Sequence, residues 1–180
     1  MKAFRTAAAV AVAGTVLASG SLALAAAGSG SASKGGKVKV FVTNTSQTKG
    51  KITITGAIGD YGTIVSTDKN GKVDPNGSFE RAHLKQGGLV IDTTGLNKVF
   101  AHIHPQFNHA NCSLSFAATG PVKIASGTGA YAGATGNAKV TVYFAGIAPK
   151  TKSGKCNTAN NAPTFGSYNS VIGSGTISFQ

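Results

Sequence analysis

The stretch "SGTGAYAGATGNAKVTVYF", Ser126 to Phe144, sets four glycines, Gly127, Gly129, Gly133 and Gly136, inside ten residues and follows them with an alternating run. Such a loop either cradles a phosphate or turns a sheet back on itself. A phosphate loop works because its glycine-rich backbone leads into a helix N-terminus, whose N–H groups face the anion. Here "NAKVTVYFAG" alternates at period two and reads as a strand. A P-loop also needs Lys and then Ser or Thr after its last glycine, whereas Asn137 and Ala138 follow Gly136. The stretch is a sheet corner, with its glycines supplying positive φ, bulges or close backbone approach.

The same period extends in both directions. "KVKVFVT" places Val38, Val40 and Val42 on one face and Lys37, Lys39 and Phe41 on the other. "KITITGA", "GTIVSTD", "SFERAHL", "GLVIDTT", "CSLSFAAT", "PVKIAS" and "SGTISF" are short, rich in β-branched residues and bounded by Gly, Asn, Asp or Pro. Asn70-Gly71 and Asn76-Gly77 mark two hairpin-like breaks. No window downstream of the N-terminal segment shows sustained i, i+3, i+4, i+7 periodicity, so helices are expected to be minor. The pattern predicts an all-β domain of about eight or nine strands, closed as a barrel or stacked as a sandwich.

The N-terminus reads differently. Lys2 and Arg5 precede an apolar, alanine-rich run to about Leu24, and Ala23-Leu24-Ala25 and Ala25-Ala26-Ala27 fit small-x-small cleavage. Residues 1–25 are expected to be a secretory signal, cut between 25 and 27, with 26–36 a disordered leader and 37–180 a single domain. Nothing further on is apolar for long enough to span a bilayer as a helix. The product is expected outside the cytoplasm, secreted or held in the envelope. Cys112 and Cys156 are the two cysteines, and an even count in an exported chain suggests a disulfide. Closing that loop would stabilise the fold by about 3–4 kcal/mol in the chain-entropy picture.

The charge is +12, from 17 Lys and Arg against 5 Asp and Glu. That excess suits anionic polymers such as acidic cell-wall material, but the lysines are spread along the chain, with Lys150, Lys152 and Lys155 the one close group. Arg81 is the one arginine outside the signal, and no basic stripe or nucleic-acid motif accompanies it, so specific nucleic-acid binding is not expected. Solvated lysines on outward strand faces are the simpler reading.

The hairpin Gly127-Thr128-Gly129-Ala130-Tyr131-Ala132-Gly133-Ala134-Thr135-Gly136, with Tyr131 at its aromatic position, resembles the corresponding hairpin of the dirigent and allene oxide cyclase barrels. From Lys37 to Phe179 the chain is similar to bacterial secreted proteins with such a barrel. The resemblance implies an eight-stranded antiparallel barrel with a central cavity, and related barrels often associate as homo-oligomers. The plant members guide phenoxy-radical coupling or cyclise an unstable epoxide. None of their pocket residues matches a motif here.

Few residues suggest chemistry directly. In "HIHPQFNH", His102 and His104 would share one side of an extended strand and could chelate Zn²⁺ or Cu²⁺ with His109 as a third ligand. Three ordinary loop histidines are the alternative, and no other cofactor is implied. Asp60 in "GDYG" reads as a turn residue. Glu80 in "FERAHL" lies on the face opposite Arg81 and His83; a cavity holding it could support acid–base work, though a cross-strand pair on the outer wall is the preferred reading. No G-x-S-x-G elbow or other hydrolase signature is present. The expected function is binding of a small, partly apolar ligand in the lumen or at the loop rim. The alternatives are a dirigent- or cyclase-like enzyme or stereochemical guide, and a cationic envelope-associated protein on anionic polymers.

Overall fold

A computed structural model of the chain describes residues 35–157 and 164–180. The signal and most of the leader lie outside the described residues. The described strands are β1 (Gly36–Asn44), β2 (Lys49–Gly56), β3 (Asp60–Thr67), β4 (Phe79–Leu84), β5 (Gly87–Asp92), β6 (Gln106–Asn108), β7 (Ser113–Gly129), β8 (Thr135–Ile147) and β9 (Gly166–Ser178), with one helix, α1 (Thr94–Phe100), after β5. All neighbours are antiparallel, in the order β5-β4-β3-β2-β1-β9-β8-β7, and β7 pairs back onto β5. The barrel is therefore closed with eight strands, and β6 is added to the far end of β7. Closure removes the open edges that a flat sheet of this length would expose.

Alternation decides which side chains face the lumen. Val38 and Val42 of β1 oppose Gly56 and Ile52 of β2, so apolar residues line up in register across the pair. Ile52 and Ile177 are 1 % exposed, while Phe41, one step out of phase on β1, is 42 % exposed. A one-residue slip would reverse every one of these faces, which is why the pattern fixes the register.

Three features depart from the expected pattern. "CSLSFAAT" and "PVKIAS" are one strand, β7, which runs through Pro121. The first turns of β7 pair with β6 and its last part with β5, and the stretch between them has no strand on that side. A proline is tolerated there because that edge needs no ladder donor. Helix α1 covers the same stretch. A Cβ on Gly120 would lie 3.0 Å from Leu96 Cα, and one on Gly95 would lie 2.9 Å from the Pro121 carbonyl oxygen. Leu96, buried against Val122, Val140 and Val142, anchors the helix there. The third departure is β9, which begins at Gly166, well before the "SGTISF" segment.

The Cys112–Cys156 disulfide forms with Cα atoms 5.3 Å apart and a sequence separation of 44. It joins the start of β7 to the loop between β8 and β9, at the end of the barrel that also carries α1. No helix among the described residues is long and apolar enough to cross a membrane.

Candidate functional site

The two ends of the barrel are built differently. At one end the β7–β8 turn folds back under the lumen. Gly129 and Gly133 take φ of +61° and +73°, values that L side chains rarely adopt. A Cβ on Gly127 would meet the Tyr131 carbonyl oxygen at 2.0 Å, so the chain can double back only where no side chain intervenes. This tight course carries Tyr131 inward, where it is 5 % exposed and its ring lies 6.4 Å from that of Phe179.

The Tyr131 hydroxyl donates to Asp60 Oδ2 at 2.6 Å. Asp60 also accepts from the N–H groups of Tyr61 at 2.7 Å, Lys85 at 3.2 Å and Gln86 at 3.0 Å. Burial alone would raise its pKa, but the Tyr131 hydrogen bond and the three backbone donors outweigh that and hold it below the usual carboxylate value. Burial and the anion beside it push the Tyr131 phenol well above its ordinary value. Asp60 is thus more than a turn residue: it ties β3, the β4–β5 turn and the β7–β8 hairpin together and shuts this end.

Between the ends lies a cavity of about 460 Å³. Its wall is largely valine and isoleucine, among them Val38, Val40, Ile54, Ile64, Val140 and Ile177. An eight-stranded barrel is just wide enough for side chains to fill, and valines are too short to meet across it. The remaining space is the cavity.

The second end is polar. Asn44, Ser66, Glu80, Thr93, Asn97 and Asn169 line the cavity there. Glu80 was expected on the outer wall; it instead faces the lumen, because it is in phase with buried Ala82 and half-buried Leu84 on β4. Its cross-strand partners are Ser66 on β3 and Ile91 on β5. Burial raises its pKa to about 7, against a smaller lowering by the Ser66 hydroxyl. Glu80 is the one ionisable side chain among the lining residues. Nearby, Asn169 Oδ1 is buried with no hydrogen-bond partner. Asn169 was missed in the sequence, yet it lies in phase with Val171 and Ile177 on β9, and a polar residue in an apolar phase is the signal that marks it. Helix α1 closes the mouth from the side and contributes Leu96, Asn97 and Phe100 to the lining. Asp92, at the end of β5, accepts from the Thr94 N–H at 2.8 Å; hydrogen bonds from Thr94 chiefly hold its pKa down, and Lys123 adds to the effect.

The other candidates lie elsewhere. Arg81 points outward over the β3–β4 turn, where a Cβ on Gly71 would come within 2.8 Å of its Nε. His83 is exposed on the same outer face. His102 and His104 are exposed in the loop after α1 rather than on a strand, and the His109 ring packs edge-on against Phe107 at 4.9 Å. Among the described residues no three His, Cys, Asp or Glu side chains come together as a metal site. Some of the lysines are less scattered than the sequence suggests. The register sets Lys39 and Lys139 on either side of Ser174, with Lys37 beside Thr176 one step along.

A second, wider groove of about 970 Å³ runs over the outside of β6, β7, β8 and β9, past His109, Leu114, Ile147 and Tyr168. Most of its lining is exposed, so it lacks the dry wall of the lumen. The chain matches no protein-family model, no curated protein and no solved structure.

Proposed function

We propose that this protein is an exported binding protein that holds one small, partly apolar molecule in its barrel lumen, the molecule's polar end lying at the Glu80 mouth. The observation that carries this reading is a lumen left unfilled, at about 460 Å³, with apolar walls and polar groups gathered at one end. Small-molecule sites are typically concave, mostly apolar cavities of about 300–1,000 Å³ with a few placed polar groups. The disulfide supports a working place outside the reducing cytoplasm. A single ionisable lining group favours binding over turnover, because acid–base chemistry on a reactive intermediate is best served by two groups with separated pKa values.

The test is titration of the purified protein with prodan, a neutral dye that brightens and shifts to the blue in apolar surroundings. Saturable one-site binding is expected, lost in Val40→Phe, which fills the lumen, and kept in Tyr168→Ala, which alters only the outer groove. Unchanged binding by a folded Val40→Phe variant, or no saturable binding by the wild type, would overturn the proposal.

A second reading rests on the outer wall. Lys37, Lys39 and Lys139 around the small side chains of β9 form a cationic face suited to an anionic cell-wall polymer. Retention on such a polymer that falls steeply with salt and is lost in the triple alanine variant would support it.

A further inference from the structure

We infer that the lumen is selective for an apolar amine, whose ammonium group docks on Glu80 at the polar mouth. This rests on the lumen being a ligand site and names the class of ligand it takes. The inventory of donors and acceptors carries the inference. The chain has 17 Lys and Arg, yet none of those among the described residues lines the lumen, so Glu80 faces inward without a counter-ion from them. An unpaired buried carboxylate is costly when ionised, and a ligand cation supplies the charge that the chain withholds.

Two of the neighbouring amides present acceptors to it. Asn169 Oδ1 is buried and unpartnered. Asn97 spends its amide donor on the Gly77 carbonyl at 3.3 Å and on Ser78 Oγ at 3.2 Å, which leaves its own Oδ1 as an acceptor. Ser66 stands opposite Glu80 across the β3–β4 pair, where its hydroxyl lowers the Glu80 pKa slightly. A ligand rich in N–H donors satisfies this set. A carboxylate ligand would meet the like charge of Glu80, and a ketone or ester would leave Asn169 Oδ1 unpaired. Beyond the mouth the wall offers only apolar surface, which suits an alkyl or aryl body.

No other titratable group complicates the pH response from within the lumen. The elements packed around Glu80 present Ser66 from β3, Ile91 from β5 and Asn97 from α1, while Arg81, His83 and Asp92 lie on outward phases of β4 and β5. Amine affinity therefore rises with pH as Glu80 ionises near 7, and stays high until the amine itself deprotonates, near about 10.

The experiment displaces prodan from the whole protein with three probes of one chain length, n-octylamine, n-octanol and octanoate, between pH 6 and 9. At pH 8.5 octylamine is expected to displace the dye at a concentration at least about tenfold below octanol, with octanoate weakest. In Glu80→Gln that preference disappears. Octanol displacing as well as octylamine would overturn the inference, as would an amine preference that survives in Glu80→Gln. If that variant does not fold, the wild-type pH series decides, and a preference that stays flat from pH 6 to 8.5 overturns it. Prodan failing to bind the wild type would instead sink the lumen site itself, which separates the two failures.

Discussion

Asp60 and Glu80 are both carboxylates turned into the same barrel, and their surroundings could hardly differ more. Asp60 receives four donors, three of them backbone N–H groups, and its proton is easily lost. Glu80 receives one hydroxyl from Ser66 and holds its proton to about 7. A buried acid whose partners all come from the chain is an anchor. One left short of partners, at the edge of an open cavity, has capacity to spare for a ligand. The difference separates the closed, self-satisfied end of the molecule from the end where we propose that a ligand binds.

The largest effect should come from cutting the anchor. In Asp60→Asn the remaining amide cannot satisfy all four donors, and hydrogen bonds to a charged group are worth about 1.5–3 kcal/mol each. A loss of about 3 kcal/mol is expected by urea unfolding, with somewhat less in Tyr131→Phe. The two changes should be strongly non-additive, because they break one shared contact. Additive losses would mean that Asp60 and Tyr131 act separately.

The pH slopes of the two acids should have opposite signs. Asp60 has a folded pKa below its ordinary 3.8, so its contribution is present above that value and disappears as pH falls through the lower, folded one. Glu80 is raised from 4.5 to about 7, so the unfolded chain ionises first as pH rises. Stability is then fullest below 4.5, declines between 4.5 and 7, and is flat above, a loss on the order of 3 kcal/mol. Glu80→Gln should remove that decline and leave the acid-side loss, and Asp60→Asn should do the reverse. Unfolding midpoints of the two variants, measured at pH 3, 5 and 8, test the comparison directly. A Glu80→Gln variant that still loses stability between pH 5 and 7 would break it.

The barrel wall was legible in the sequence, but the contrast between the two acids was not. Period-two alternation put Val38, Val40 and Val42 on one face of β1, and the context of Gly136 excluded a phosphate loop. The phase that marks Glu80 and Asn169 was present, since each sits among apolar inward neighbours, but the usual exposure of charge favoured the outer wall for Glu80, and Asn169 was missed. The role of Asp60 was hidden, because its hydroxyl donor is 71 residues away and two of its backbone donors belong to a distant turn. Helix α1 was hidden for another reason. Seven residues make two turns, too short to show a period and too short to be stable alone. It exists because a stretch of β7 has no strand beside it and Leu96 has a pocket to fill.

The smallest effect distinguishes crowding from backbone strain. Gly133 and Gly154 both have positive φ, +73° and +80°. A Cβ on Gly133 would also lie 2.9 Å from the Gln180 carbonyl oxygen, whereas one on Gly154, in the loop near the disulfide, meets nothing within 4 Å. Gly154→Ala should therefore cost only the left-handed penalty, about 1 kcal/mol. Gly133→Ala adds a collision with the chain's last residue, and relief by moving that residue is cheap if the C-terminus can shift without disturbing Phe179 against Tyr131. Equal losses in thermal unfolding would mean that the terminus yields freely. A larger loss in Gly133→Ala, cancelled when Gln180 is deleted, would show that Gln180 is packed into the closed end.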